Sequence, residues 1–145
     1  QALVVPSSFG NPRRVSNGVE YNRAMLLLAV LEKRGGLLLG NCDAYLNVIG
    51  GLSLDEPAAD LAAMLALASS FRDRPVPSDL AAIGEIGLTG ELRAVSALGQ
   101  RLSEVRRLGF TKCLIPKRVQ GKLSVPEGLD VIRVANIREA LAALL

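Results

Sequence analysis

The 145-residue chain contains no histidine and no tryptophan. Without histidine, neither Ser-His-Asp nor Cys-His catalysis is available within it, nor any His-ligated metal site. Chemistry here would fall to Lys, Asp, Glu or a hydroxyl. Aromatics are scarce as well, two Tyr and three Phe. The core must therefore be aliphatic, and a stacking platform for single-stranded nucleic acid is excluded. The only two cysteines, Cys42 and Cys113, lie far apart with no CxxC spacing. That points away from a disulfide framework or zinc site and toward two thiols in a reducing compartment. The longest apolar runs, residues 24–31 and 61–68, fall well short of the roughly 20 residues that span a bilayer. No signal peptide is visible. The expectation is a soluble, cytoplasmic chain with no membrane partner, forming one domain over residues 1–145. It begins at Gln1 rather than Met, so we expect a segment cut from a longer protein.

Half of the residues are apolar, enough for a sizeable core. The net charge of +3 is unevenly spread: residues 1–40 carry five basic and two acidic side chains, residues 41–100 three and eight, residues 101–145 nine and four. Basic ends thus flank an acidic middle. Thirteen of the 17 cations are Arg, the type suited to bidentate phosphate contacts.

Residues 2–5 read as a strand ended by Pro6, followed by a Gly/Pro loop, "PSSFGNPRRVSNG". Asn17 with Glu20 three residues on predicts a capped helix, which ends before Gly35-Gly36. Residues 43–49 predict a strand, and Asp55 is expected to cap a helix over 56–71. "GEIGLTGELRAV" reads as a hairpin about residues 87–90. A helix over 96–108 follows, with Ser96 as its cap and Leu98, Leu102, Val105 and Leu108 on one face. Strands at 112–115 and 129–134 precede a last helix capped by Asn136 with Glu139. Alternating helices and strands define an α/β class with a mixed sheet and packed helices.

Two stretches carry chemistry. "DEPAADLA" turns from a strand into a helix, and "GEIGLTGELRAVSALGQRL" follows some thirty residues later. In this order the pair resembles the proteolytic domain of the Lon protease family. There an Asp-Gly-Pro-Ser-Ala-Gly turn supplies a serine nucleophile, and a later Gly-Glu-Ile-x-Leu-x-Gly segment leads to a Gly-Gly-Leu-Lys that supplies its lysine base. Asp55 and Pro57 match the first motif, with Ala58 at the serine position. Gly84, Glu85, Ile86, Leu88 and Gly90 match the second, with Leu98 at the motif leucine and Gly99 at the lysine position. A methyl group and a hydrogen neither attack a carbonyl nor take a proton. Of the four lysines (Lys33, Lys112, Lys117 and Lys122) none lies near the second motif. The resemblance therefore implies a Lon proteolytic-domain-like fold without a peptidase dyad.

A longer resemblance, through "QALVVPSSFGNPRRVSNGVEYNR", "GGLSLDEPAADLA" and "ASSFRDRPVP", is to the C-terminal Lon-like domain of the RadA (Sms) family of bacterial DNA repair and recombination ATPases. It implies a hexameric parent protein acting on DNA. ATP, Mg and Zn are expected only in domains absent here; no cofactor or metal is expected in this one. Arg13, Arg14, Arg23, Lys33 and Arg34 are the candidate phosphate contacts, in a loop without nearby acids and on the helix that follows. A second basic stretch runs through Arg101, Arg106, Arg107, Lys112, Lys117, Arg118 and Lys122. Asp55, Glu56 and Asp60 are expected to form an anionic cluster. Two other readings stay open: a ring-assembly scaffold that touches no DNA, and a residual peptidase.

Overall fold

The computed structural model of the chain describes residues 1–8 and 10–144. Phe9, within the predicted loop, and Leu145 lie outside the described residues. Among the described residues, eight strands and four α-helices follow one another in the order β1 (Ala2–Pro6), β2 (Arg14–Asn17), α1 (Tyr21–Gly35), β3 (Cys42–Asn47), α2 (Asp60–Arg72), β4 (Leu80–Ala82), β5 (Glu85–Ile86), β6 (Leu92–Arg93), α3 (Leu98–Arg107), β7 (Lys112–Pro116), β8 (Asp130–Val134) and α4 (Ile137–Leu144). The class is α/β, as the alternation predicts. The strands form three separate sheets. In the first, β3 is central, antiparallel to β1 and parallel to β2. In the second, β4, β7 and β8 are all parallel. The third is the predicted hairpin, β5 against β6.

Asn17 does not open α1. It ends β2, in register with Asn47, so pairing along β3 outweighs a local cap. Glu20 caps instead, its carboxylate accepting the Asn22 and Arg23 N–H groups at 2.9 Å each. Gly18, at φ +89°, makes the turn between strand and helix. The far end of α1 closes on Gly36 in the left-handed region, its N–H bonded to Glu32 O.

α3 starts at Leu98 rather than residue 96. Ala97 precedes it at φ +54° with no side-chain cap, so Ser96 is not the cap. Leu98 and Leu102 are buried, and Leu108 stays exposed. At α4 the predicted cap is present: Asn136 Oδ1 accepts the Glu139 N–H at 2.9 Å, and Glu139 reaches back to the Ala135 N–H at 2.8 Å.

Two cores result. The larger lies among α1, α2, α4 and the first sheet, around Leu27, Leu31, Leu61, Met64 and Ile137. The smaller gathers Ala58, Ile83, Val95, Leu98, Leu102, Cys113, Ile115 and Leu129. The smaller core joins the two motif-bearing stretches.

Candidate functional site

From β3 the chain passes through nine consecutive exposed residues, 49–57, before Ala58 goes inside. Pro57–Ala59 form a single 3-10 turn that runs into α2. The capping carboxylate is that of Glu56, which accepts the Ala58 N–H at 3.3 Å; Asp55 is not the cap. Pro57 explains the shift, since its missing N–H falls where a helix start leaves donors unpaired anyway.

The two motifs are pinned together by backbone. Gly84 N–H donates to Ala58 O at 2.9 Å, and Leu61 N–H to Gly84 O at 3.1 Å. Ala58 is 5% exposed, its methyl within the smaller core that also holds Leu98. Gly99 lies in the first turn of α3, and a Cβ added there would meet no atom within 4 Å. Arg101, two residues on, bonds Glu56 Oε1 at 3.0 Å. The turn at Ala58 and the helix carrying Gly99 therefore meet. Neither position offers a nucleophile or a base, and none of the four lysines lies on the turn or on α3.

The sequence places Asp60 in an anionic cluster with Asp55 and Glu56. It is instead buried, 4% exposed. It pairs with Arg23, which donates from Nε at 3.0 Å and from its terminal nitrogen, and it accepts the Ile86 N–H at 3.0 Å. The hydrogen bond to Asp60 raises the Arg23 pKa above its ordinary value, against partial burial. Asp60 stands where the resembled motif carries glycine, and that departure was the one sequence signal for this strut. Glu56 is engaged by Arg101, so of the three acids Asp55 alone stays at the surface outside an ion pair among the described residues.

The five candidate cations divide accordingly. Arg23 is at the N-terminal end of α1, its guanidinium taken by Asp60 and by Ile86 O at 3.3 Å. Arg14 turns inward, donating to Leu39 O at 2.9 Å, and its other terminal nitrogen is buried without a partner among the described residues. Arg13 is exposed, and its N–H donates to Asp43 Oδ1 at 2.7 Å, so an acid does lie beside it. Lys33 and Arg34 are exposed in the last turn of α1. Arg34 Nε rests 3.4 Å from Leu88 O, and its carbonyl accepts from Arg138 Nε at 2.7 Å. Sequence reasoning missed Arg138 because the contact joins residues 104 apart.

Four of the seven cations in the second basic stretch are engaged: Arg101 with Glu56, Arg107 with Glu104, Lys112 with Asp79, and Arg106 with Glu127 O. Among the described residues, no group of three His, Cys, Asp or Glu could hold a metal ion. Among the same residues, no helix is long and apolar enough to cross a membrane.

The chain is similar to three proteins named DNA repair protein RadA. It is 55% identical to that of Bacillus subtilis over 141 residues, 97% of this chain and 31% of that protein. It is 51% identical to that of Halalkalibacterium halodurans over 145 residues, all of this chain and 32% of that protein. For Streptococcus pneumoniae the figures are 50% over 141 residues, 97% and 34%. The chain thus spans about a third of the length of the curated relatives it matches, and the part it matches is their C-terminal region. Residues 42–145 match the profile of the Lon protease (S16) C-terminal proteolytic domain. The sequence motifs, the backbone bonds that join them and this match agree: the chain belongs to the Lon protease C-terminal proteolytic domain family, in the form carried by DNA repair proteins of the RadA type.

Proposed function

We propose that the chain is a non-catalytic Lon-like domain of a RadA-type DNA repair and recombination ATPase, contributing sequence-independent DNA binding and hexameric ring assembly. The observation that carries the first half is Ala58. At the nucleophile position a buried methyl group packs in the smaller core, while the turn and its backbone partners are intact. A residual peptidase would need a base, and Gly99 provides none. ATP, Mg and Zn belong, on this reading, to parts of the parent protein outside this chain, and the protein works in the cytoplasm.

DNA contacts fall to Arg13 and Lys33: both are exposed, and Arg13 meets the Asp43 carboxylate through its backbone N–H rather than its guanidinium. Arg14 and Arg23 support the domain from inside. Such contacts read phosphates and not bases, so affinity should fall with salt and show little sequence preference. The test is fluorescence-anisotropy titration of a labelled duplex across a salt series, with Arg13→Ala and Lys33→Ala alongside. Each variant is expected to flatten the salt slope by about one. Salt-independent or absent binding by an assembled sample overturns the DNA half. A scaffold without DNA contact then remains, a reading favoured by the internal engagement of Arg14 and Arg23.

A further inference from the structure

Just past α1, Leu37 and Leu39 enter the larger core, each 1% exposed, and leave Leu38 between them 79% exposed. The tip of the β5–β6 hairpin presses on the last turn of the same helix, where a Cβ added to Gly90 would lie 3.0 Å from Arg34 Cβ. That tip carries Leu88, 66% exposed. Leu38 and Leu88 are the two most exposed large apolar side chains among the described residues, and both belong to this one corner of the fold. Neither exposure is demanded by the backbone: a polar side chain would serve at the tip and between two buried neighbours. Single exposed leucines are ordinary, whereas two at one place call for a partner.

Two exposed arginines stand with them. Arg34 Nε donates to Leu88 O at 3.4 Å, and Arg138 Nε, from α4, donates to Arg34 O at 2.7 Å. Each guanidinium is thus tethered through one nitrogen, and its two terminal nitrogens have no partner among the described residues. The nearby acids are turned to other donors. Glu32 accepts the Leu39 N–H at 2.9 Å, Glu139 the Ala135 N–H at 2.8 Å, and Glu91 the Thr89 N–H at 3.1 Å together with Arg93 at 3.2 Å. A tethered guanidinium with both terminal nitrogens free is suited to a carboxylate, because little further freedom is lost when the fork closes on it.

We propose that this corner binds an acidic peptide segment bearing apolar side chains, carried by a different protein. Its carboxylates take the terminal nitrogens of Arg34 and Arg138, and its apolar side chains cover Leu38 and Leu88. The choice of partner rests on charge complementarity combined with the two leucines. A phosphate backbone would satisfy the arginines and leave both leucines in water. A wholly apolar partner would cover the leucines and strip water from two unpaired cations. A segment that mixes carboxylates with apolar side chains meets both demands. The contact uses neither Arg13 nor Lys33, the DNA contacts of the proposed function, and so goes beyond that reading.

The experiment is a fluorescence-anisotropy titration of the chain into a short fluorescein-labelled peptide of alternating Glu and Leu. Saturable binding is expected, weakened at least about tenfold by Arg34→Glu/Arg138→Glu, which sets like charges face to face. Leu38→Ser/Leu88→Ser, at exposed positions that leave the core intact, should weaken it roughly fivefold through lost apolar burial. Arg133→Glu, at an exposed cation on β8, controls for net charge and should change affinity less than about twofold. The same peptide with Ser in place of Leu, or Lys in place of Glu, should bind at least about tenfold more weakly. Thermal melts of each variant separate a lost contact from a lost fold; if the arginine pair does not fold, the leucine pair decides. Losses as large for Arg133→Glu as for the arginine pair overturn the proposal, since only bulk charge is then being read. Equal binding of the Ser peptide, with displacement by unlabelled duplex, also overturns it and gives the arginines to DNA. Absence of saturable binding overturns it as well, and a changed sedimentation of the same variants then gives the corner to a second copy of the chain.

Discussion

The carboxylate of Asp60 holds the guanidinium of Arg23, tying the first turn of α2 to the first turn of α1. The same carboxylate accepts the Ile86 N–H, so one buried charge fixes two helices and the hairpin. Removing Arg23 leaves that charge without its partner. Arg23→Ala should cost about 3 kcal/mol in urea-denaturation stability, and Asp60→Ala a comparable amount. The double variant should lose clearly less than the sum, as one interaction is removed in each case.

Ala58 and Gly99 call for opposite results from substitution. Ala58 lies in a filled core, so Ala58→Phe should lower stability by about 1–3 kcal/mol through overpacking. Gly99 has open space around it in a helix, and Gly99→Ala should raise stability by about 0.5 kcal/mol through helix propensity. Thermal melts of both variants check this. Ala58→Ser with Gly99→Lys should still leave casein uncut, because the hydroxyl would sit at a position closed to substrate.

Gly18 sits at φ +89°, and a Cβ added there would lie 2.5 Å from Leu52 O and 2.6 Å from Val48 Cβ. Both neighbours are constrained, one by backbone. Gly18→Ala should therefore cost about 2 kcal/mol or more, from left-handed strain plus displacement of the stretch that follows β3.

Burial pushes the Cys113 thiol from 9.0 up to about 12. The folded state therefore binds its proton more tightly than the unfolded state does. That contribution is full below pH 9 and is lost as pH rises from 9 toward 12. Unfolding midpoints between those limits should fall more steeply for the native chain than for Cys113→Ala. At pH 8, modification of Cys113 by iodoacetamide should wait for unfolding.

At the acidic side the sign is opposite. Asp79 is held below its ordinary value by the Thr111 hydroxyl first and by Lys112, and Glu91 by the Thr89 hydroxyl first. Both support the folded state above the usual carboxylate range and cease to do so as pH falls through their lowered values. Asp79→Asn should thus flatten the acid limb of a stability-against-pH curve.

Local chemistry made much of the fold legible. The hairpin about Gly87 and Gly90, the left-handed glycine closing α1 and the Asn136 cap all depend on residues within a few positions of one another. The failures have a common cause. Asn17, Ser96 and Asp55 are each good caps by type, yet β2 pairing, a left-handed Ala97 and a proline-started turn moved all three helix starts. Of the five candidate cations, the sequence showed charge but not direction. Arg14 and Arg23 turn inward to a carbonyl and a buried carboxylate, partners 25 and 37 residues away.

The sequence by itself determined the family, because a motif is a matter of order and spacing. It also determined the α/β class, through alternating local periods. Only the tertiary structure decided that Asp60 is a strut and not a surface charge, and that Arg138 stands beside Arg34. Those facts depend on contacts between residues distant in sequence, where burial and desolvation, and not residue type, set what a charge can do.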